Sequence, residues 1–137
     1  MKNSRTHGSI LLHTLLFAAV AGYVIAGLVT SIQVHLKSGR SALVRERALQ
    51  LAESGNEYYR WHLAHAPTDF KDGTNTGGPY VHTVKDKFDT PIGTFSLTIT
   101  PPVTGSTVVT VKSKGEIIGA PTLDRTITTR LAKPSIA

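Results

Sequence analysis

The feature that most constrains this chain is Ser9–Leu36, a run of 28 residues with no formally charged side chain. A helix needs about 20 apolar residues to cross a bilayer core, so the run is long enough to do so. The helical pattern does not stop there but continues to about His65. One helix over Ser9–His65 would be about 85 Å long at ~1.5 Å per residue. No soluble domain of this size encloses such a helix. The chain is therefore expected to be anchored, assembled into something larger, or both.

Of the 137 residues, about 100 remain after the first 36, which is room for one soluble domain. The formal charge of +6 and pI of about 9.8 fit nucleic acid, anionic lipid or mere orientation in a membrane, and do not choose among them. With no Cys, disulfides, thiol chemistry and Cys metal sites are excluded.

The leader 1–8 (MKNSRTHG) carries Lys2 and Arg5 and ends in Gly8. Basic residues before a first apolar segment favour keeping that end in the cytoplasm. Lys37, Arg40, Arg45 and Arg47 follow the segment, so charge counting leaves the orientation open. Two processing readings compete. Ala19-Val20-Ala21 has the A-x-A form of a secretory cleavage site, but cutting there leaves a strongly apolar new terminus. Cutting after Gly8 keeps the whole 9–36 helix.

Segment 37–66 is expected to continue the helix in amphipathic form. Val44, Ala48, Leu51, Gly55, Tyr58, Tyr59 and His62 fall on one face, and Glu46, Gln50, Glu53, Glu57 and Arg60 on the other. Gly55, mid-stripe, costs about 1 kcal/mol relative to Ala, which a close approach of another backbone would justify. Pro67 ends the helix. Residues 67–79 read as a loop, and 80–137 as a β region. There the period changes to two, giving strands at 80–84, 92–100, 106–114 and 122–131, with Val109 and Val111 facing in and Lys112 and Lys114 facing out. The expected fold is α+β: a long N-terminal helix, transmembrane in its first half and amphipathic in its second, packed on a small four-stranded antiparallel sheet. The sheet needs a cover for its apolar face, and the 44–62 stripe is the cover available.

Candidate sites are sparse. His62 and His65 lie three apart, with His35 and His82 elsewhere, short of a converging metal-ligand set. Asp69, Asp72 and Asn75 surround Gly73 without the EF-hand spacing or its terminal Glu, so a solvated loop is the expectation. Glu53 and Glu57 read as solvent-face charges. No nucleophile, phosphate-loop or metal motif is present, so neither an enzyme nor a cofactor is expected. Tyr58, Tyr59 and Trp61 around Arg60 would stack on nucleic acid or, more simply, turn at least two rings toward the sheet. Lys85, Lys87, Lys112, Lys114, Arg125 and Arg130 would form a basic outer face, a candidate DNA surface.

The basic leader ending in Gly8, the uncharged Ser9–Leu36 and the run Ala-Leu-Gln-Leu-Ala-Glu-Ser-Gly at Ala48–Gly55 resemble the type IV pilin-like proteins: pilins, minor pilins and the pseudopilins of type II secretion. The resemblance implies cleavage by a prepilin peptidase between Gly8 and Ser9, methylation of the new amine, and assembly with other pilin subunits into a surface fimbrium. The soluble domain would be extracytoplasmic. Family members usually have Phe or Met after the cut and Glu at the fifth mature position, where this chain has Ser9 and His13. That Glu pairs with a neighbour's amine, so its replacement points to a minor subunit. Small residues including Gly22 and Gly27 would let helices approach closely, although their spacing of five is not GxxxG. The alternative is a single-pass anchored surface protein with a small β binding domain.

Overall fold

The computed structural model describes the backbone of Arg5–Ala132 and side chains from Ser9 onward; residues 1–4 and 133–137 lie outside it, and so do the side chains of the leader residues up to Gly8. The order of elements is one helix, α1 (Arg5–His65), then strands β1 (Tyr80–Lys85), β2 (Pro91–Thr100), β3 (Val108–Ile117) and β4 (Arg125–Ala132), with a single 3-10 turn at Pro121–Leu123. The class is α+β. The strands form one antiparallel sheet in the order β1-β2-β3-β4, a meander in which every neighbour in space is a neighbour in sequence. The chain divides into two compact units, Met1–Arg40 and Ser41–Ala137.

In the first unit the backbone is helical throughout the described residues, and it is helical from Arg5, inside the segment read as a leader. Every residue of 9–40 is exposed. This is the part of α1 long and apolar enough to cross a membrane, and none of it is buried.

The second unit holds the core. Its α1 residues Ala48, Leu51, Ala52, Gly55, Tyr59 and Leu63 are buried, a stripe at helical spacing. They meet Tyr80, Phe95, Leu97, Val109 and Val111 from the inner face of the sheet. Each large side chain buried here contributes roughly 1.5–3 kcal/mol. The register makes that inner face: Val84 pairs with Gly93, His82 with Phe95 and Tyr80 with Leu97. Gly93 pairs with Ile117, Phe95 with Gly115 and Leu97 with Ser113. Residues directly opposite in an antiparallel pair point to the same side, so these rows define one apolar surface. The outer rows are Thr94–Glu116, Ser96–Lys114 and Thr98–Lys112, hydroxyl and charge, as half-solvated strands require.

The expected stripe holds for Ala48, Leu51, Gly55 and Tyr59; Val44 and Tyr58 are half-buried, and Ala52 and Leu63 join it. The expected polar face, Glu46, Gln50, Glu53, Glu57 and Arg60, is exposed. Strand limits shift at the third and fourth strands. β3 starts at Val108, whose amide donates to the Ser106 hydroxyl at 3.1 Å, and it runs on to Ile117. Thr122 and Leu123 are drawn into the 3-10 turn behind Pro121, so β4 starts at Arg125. Gly55 also differs. No backbone crosses it; a β-carbon there would overlap the Ser113 hydroxyl and lie 2.8 Å from the Phe95 ring. The close backbone approach is at Gly115 instead, against Ala48 and Ala52.

Candidate functional site

Two places carry chemistry: the exposed surface of the first unit, and the loop between α1 and β1 in the second.

In Ser9–Leu36 three polar side chains turn back onto their own helix. His13 Nδ1–H donates to the Ser9 carbonyl at 2.6 Å, Thr14 Oγ1 to Leu11 at 2.9 Å, and Thr30 Oγ1 to Ala26 at 2.9 Å. Such back-bonding satisfies a polar group without water, the condition a lipid environment imposes. Leu12, Phe17, Tyr23 and Val34 stand 63–86% exposed. Gly22 and Gly27 are open, with no atom within 4 Å of where a β-carbon would stand. The surface of Ser9–Leu36 is therefore predominantly apolar and exposed, with three of its polar side chains bonded to their own helix. His13, at the position the resemblance singles out, is engaged with Ser9.

In the second unit, residues weighed separately in the sequence come together. Pro67 follows the last turn of α1, and the chain enters a loop organised by Asp69. Its Oδ1 accepts the Lys71 amide at 2.8 Å and its Oδ2 the Gly73 amide at 2.6 Å. Asp69 Oδ2 also accepts His62 Nε2–H at 2.9 Å, tying the loop back to the helix. Asp72, left-handed at φ 52°, directs Oδ2 to His82 Nε2 of β1 at 2.6 Å. Asp and Asn are the side chains that tolerate this conformation best after glycine. Tyr59, fully buried, donates its hydroxyl to the Asp69 carbonyl at 3.2 Å. The His82 ring lies over Phe95 at 4.9 Å and against Tyr58 at 4.6 Å. The loop is thus clamped by two His–Asp pairs, one on the helix and one on the sheet.

The electrostatics follow from this geometry. The Lys71 amide foremost, with the Gly73 amide and His62, holds the Asp69 carboxyl below its ordinary value, against an opposing effect of burial. Burial foremost, then the Asp69 and Asp72 carboxylates, raises the Tyr59 hydroxyl well above the usual phenol range. Asp72, with a side chain 3% exposed, leaves Oδ1 without a hydrogen-bond partner. Among the described residues no three His, Asp or Glu converge as a metal set. The loop is exposed at Thr68, Lys71 and 73–79, as expected of a solvated loop, and is in addition pinned at Asp69 and Asp72, while His62 and His65 turn to different partners. His65 Nδ1 donates to the Trp61 carbonyl at 2.8 Å.

The aromatic end resolves as two rings in and one out: Tyr59 buried, Tyr58 half-buried, Trp61 59% exposed against the His65 ring. Of the six cations read as an outer face, Lys112, Lys114 and Arg130 fall on outer rows. Lys114 is engaged by Glu116 and Asp124, and Lys85 by Asp89 at 2.9 Å. Arg125 pairs with Gly115 and so belongs to the inner rows, at their exposed end. From residue 41 onward the sequence has eleven Lys and Arg against nine Asp and Glu, so most of the positive surplus flanks the apolar run.

Four contributors were not singled out beforehand: Ala52, Leu63 and the strand glycines Gly93 and Gly115. A glycine inside a strand signals close backbone approach, and both lie at inward positions of the two-residue period. No protein-family model, curated protein or solved structure matches the chain.

Proposed function

We propose that the chain is a structural subunit, and a minor one, of a type IV pilus or a related secretion pseudopilus. Ser9–Leu36 holds it in the membrane as a single pass until assembly, and the same surface then packs against other subunits. The second unit stands outside the cytoplasm and becomes part of the cell-surface fibre. The observation that carries this reading is the uncharged stretch Ser9–Leu36, exposed at every residue and with His13, Thr14 and Thr30 bonded to their own helix, on the same helix that supplies the cover of a four-stranded antiparallel sheet. Small residues such as Gly22 and Gly27 with open space around them suit close helix packing. His13 in place of a carboxylate supports a minor over a major subunit, because an imidazole donating to its own Ser9 carbonyl offers no anion to a neighbour's amine.

The test is the mature N-terminus, read by mass spectrometry of the protein from its own cell, together with its presence in sheared filaments. Processing by a prepilin peptidase gives a methylated Ser9 and recovery in the filament fraction. An intact Met1 with no filament association sinks the proposal. That second outcome would support the other reading, a single-pass anchored protein with a β domain, which the engaged His13 also favours.

A further inference from the structure

In a meander the β1–β2 and β3–β4 connections lie at one end of the sheet and the β2–β3 connection at the other. The first end is joined by the Ile118 amide donating to the Ile92 carbonyl at 3.3 Å. It is also the end beside the start of the second unit's helix, since Gly93 and Gly115 sit against Leu51 and Ala48. Three large apolar side chains stand out there: Phe88, 75% exposed, Ile118, 58%, and Ile92, 43%. Between them and the helix runs a groove of about 670 Å³ whose walls include Arg47, Leu51, Val84, Ile92 and Ile118.

Six cations and five acids lie at this end, and they are unequally paired. Asp89 pairs with Lys85, Glu116 and Asp124 both engage Lys114, and Asp86 Oδ1 accepts the Phe88 and Thr90 amides at 2.8 and 2.9 Å. Among the described residues Arg45, Arg47, Lys87 and Arg125 have no ion-pair partner, against two acids without one, Glu46 on the helix and Asp86 in the β1–β2 turn. Lys87 Nζ lies 4.8 Å above the Phe88 ring, so cation and apolar surface coincide. The opposite end exposes Val103 and Val108, with Arg130 of β4 as a cation beside them and no charged residue from Thr100 to Val111.

Exposed apolar side chains set among free cations fit a surface that is apolar beneath and anionic above. We propose that this rim docks on an anionic phospholipid bilayer: Phe88, Ile92 and Ile118 enter the headgroup boundary, and Arg47 and Lys87 meet the lipid phosphates. The uncharged run of the same chain ends at Leu36, eleven residues before Arg47, which makes a bilayer the partner within reach. The proposal rests on Ser9–Leu36 residing in a membrane, and adds that the second unit is held against that membrane before assembly. Juxtamembrane cations contribute about 1 kcal/mol each at an anionic surface, and partly buried apolar side chains add to them.

The chain has no cysteine, so single labelling sites can be introduced. Full-length I118C, V103C and Y23C, each carrying an environment-sensitive fluorophore, would be reconstituted in vesicles of phosphatidylcholine with and without phosphatidylglycerol. Lipid-borne nitroxide and aqueous iodide serve as quenchers, and circular dichroism checks each variant's fold. The expected result is lipid quenching of the 118 label only with phosphatidylglycerol, weakened by salt, with the 103 label in water throughout. R47Q and K87Q are each expected to lower the docked-to-free ratio about fivefold. A 118 label as open to iodide as the 103 label in both lipids would overturn the docking while the 23 label still reports insertion. Protection that tracks protein density and shows no lipid quenching would overturn it in favour of a second copy in the groove. A 23 label never quenched by lipid would overturn the membrane reading and the docking together.

Discussion

Gly115 of β3 lies against the Ala48 carbonyl so closely that a β-carbon on it would overlap that oxygen and stand 2.6 Å from the Ala52 nitrogen. Both obstacles are helix backbone, which cannot turn aside as a side chain can. Overfilling a packed core costs typically 1–3 kcal/mol, and a rigid neighbour puts this site at the top of that range. G115A is therefore expected to destabilise the second unit by about 3 kcal/mol, read by denaturant unfolding of the full chain in detergent with tyrosine ellipticity as the probe. Gly39 on the exposed helix has nothing within 4 Å, and G39A should be neutral or stabilising by up to about 1 kcal/mol. Equal effects from the two would remove the close helix–sheet approach as the cause.

Asp69 sets the acid limb of stability. Its folded pKa is below the ordinary 3.8, chiefly through the Lys71 amide, so its contribution is complete above that value and is lost as pH falls through the lower folded value. D69N keeps the shape but removes the charge. It should cost about 1–3 kcal/mol at neutral pH, the range for hydrogen bonds to a charged group. Its loss of stability on acidification should be shallower than in the parent chain. Amide exchange at Lys71 and Gly73, followed as pH is lowered from neutral, checks this, since the carboxylate's hold on both amides weakens as it protonates. Unchanged protection of those amides in D69N would count against the clamp.

Tyr59 links helix, loop and sheet. Its ring is fully buried, and its hydroxyl donates to the Asp69 carbonyl. Y59F removes one hydrogen bond between neutral groups and should cost about 1 kcal/mol. Y59A also opens a cavity among Leu97, Val109 and Val111 and should cost about 3–5 kcal/mol. The gap between the two variants, measured by urea unfolding, separates packing from hydrogen bonding.

Much of this fold was legible because its signals are local. The uncharged run, the amphipathic continuation, Pro67 and four period-two segments each report on a few adjacent residues, and a meander asks for no long-range pairing. What the residues did not disclose depends on partners distant in sequence. In sequence His62 and His82 have no evident partner; the loop brings Asp69 within 2.9 Å of His62 and Asp72 within 2.6 Å of His82. Gly55 looked like a backbone crossing because the one-dimensional stripe cannot say which strand residue lies above it. The strand glycines were the readable clue, since an inward glycine has no side chain to contribute to a core and marks where something else comes close. The apolar run Ser9–Leu36 was legible as composition, and the bonding of His13, Thr14 and Thr30 to their own helix required coordinates.

Ser113 supplies the last prediction. It is fully buried on the inner face of β3, and its hydroxyl has no hydrogen-bond partner. An unsatisfied buried hydroxyl costs roughly 1–3 kcal/mol in desolvation without return. S113A removes that cost and leaves a methyl group in an apolar setting, so it should be stabilising by about 1 kcal/mol or more. The same atom is what a β-carbon on Gly55 would overlap, with the Phe95 ring 2.8 Å away as a second obstacle. G55A in the parent chain should therefore be destabilising despite its better helix propensity, and less so in the S113A background. A double-mutant cycle on unfolding free energies should give a favourable coupling of about 0.5–3 kcal/mol, as for residues in direct contact. Additivity within error would mean that Phe95 alone blocks the site. A destabilised S113A would mean that the hydroxyl finds a partner in solution, such as a bound water.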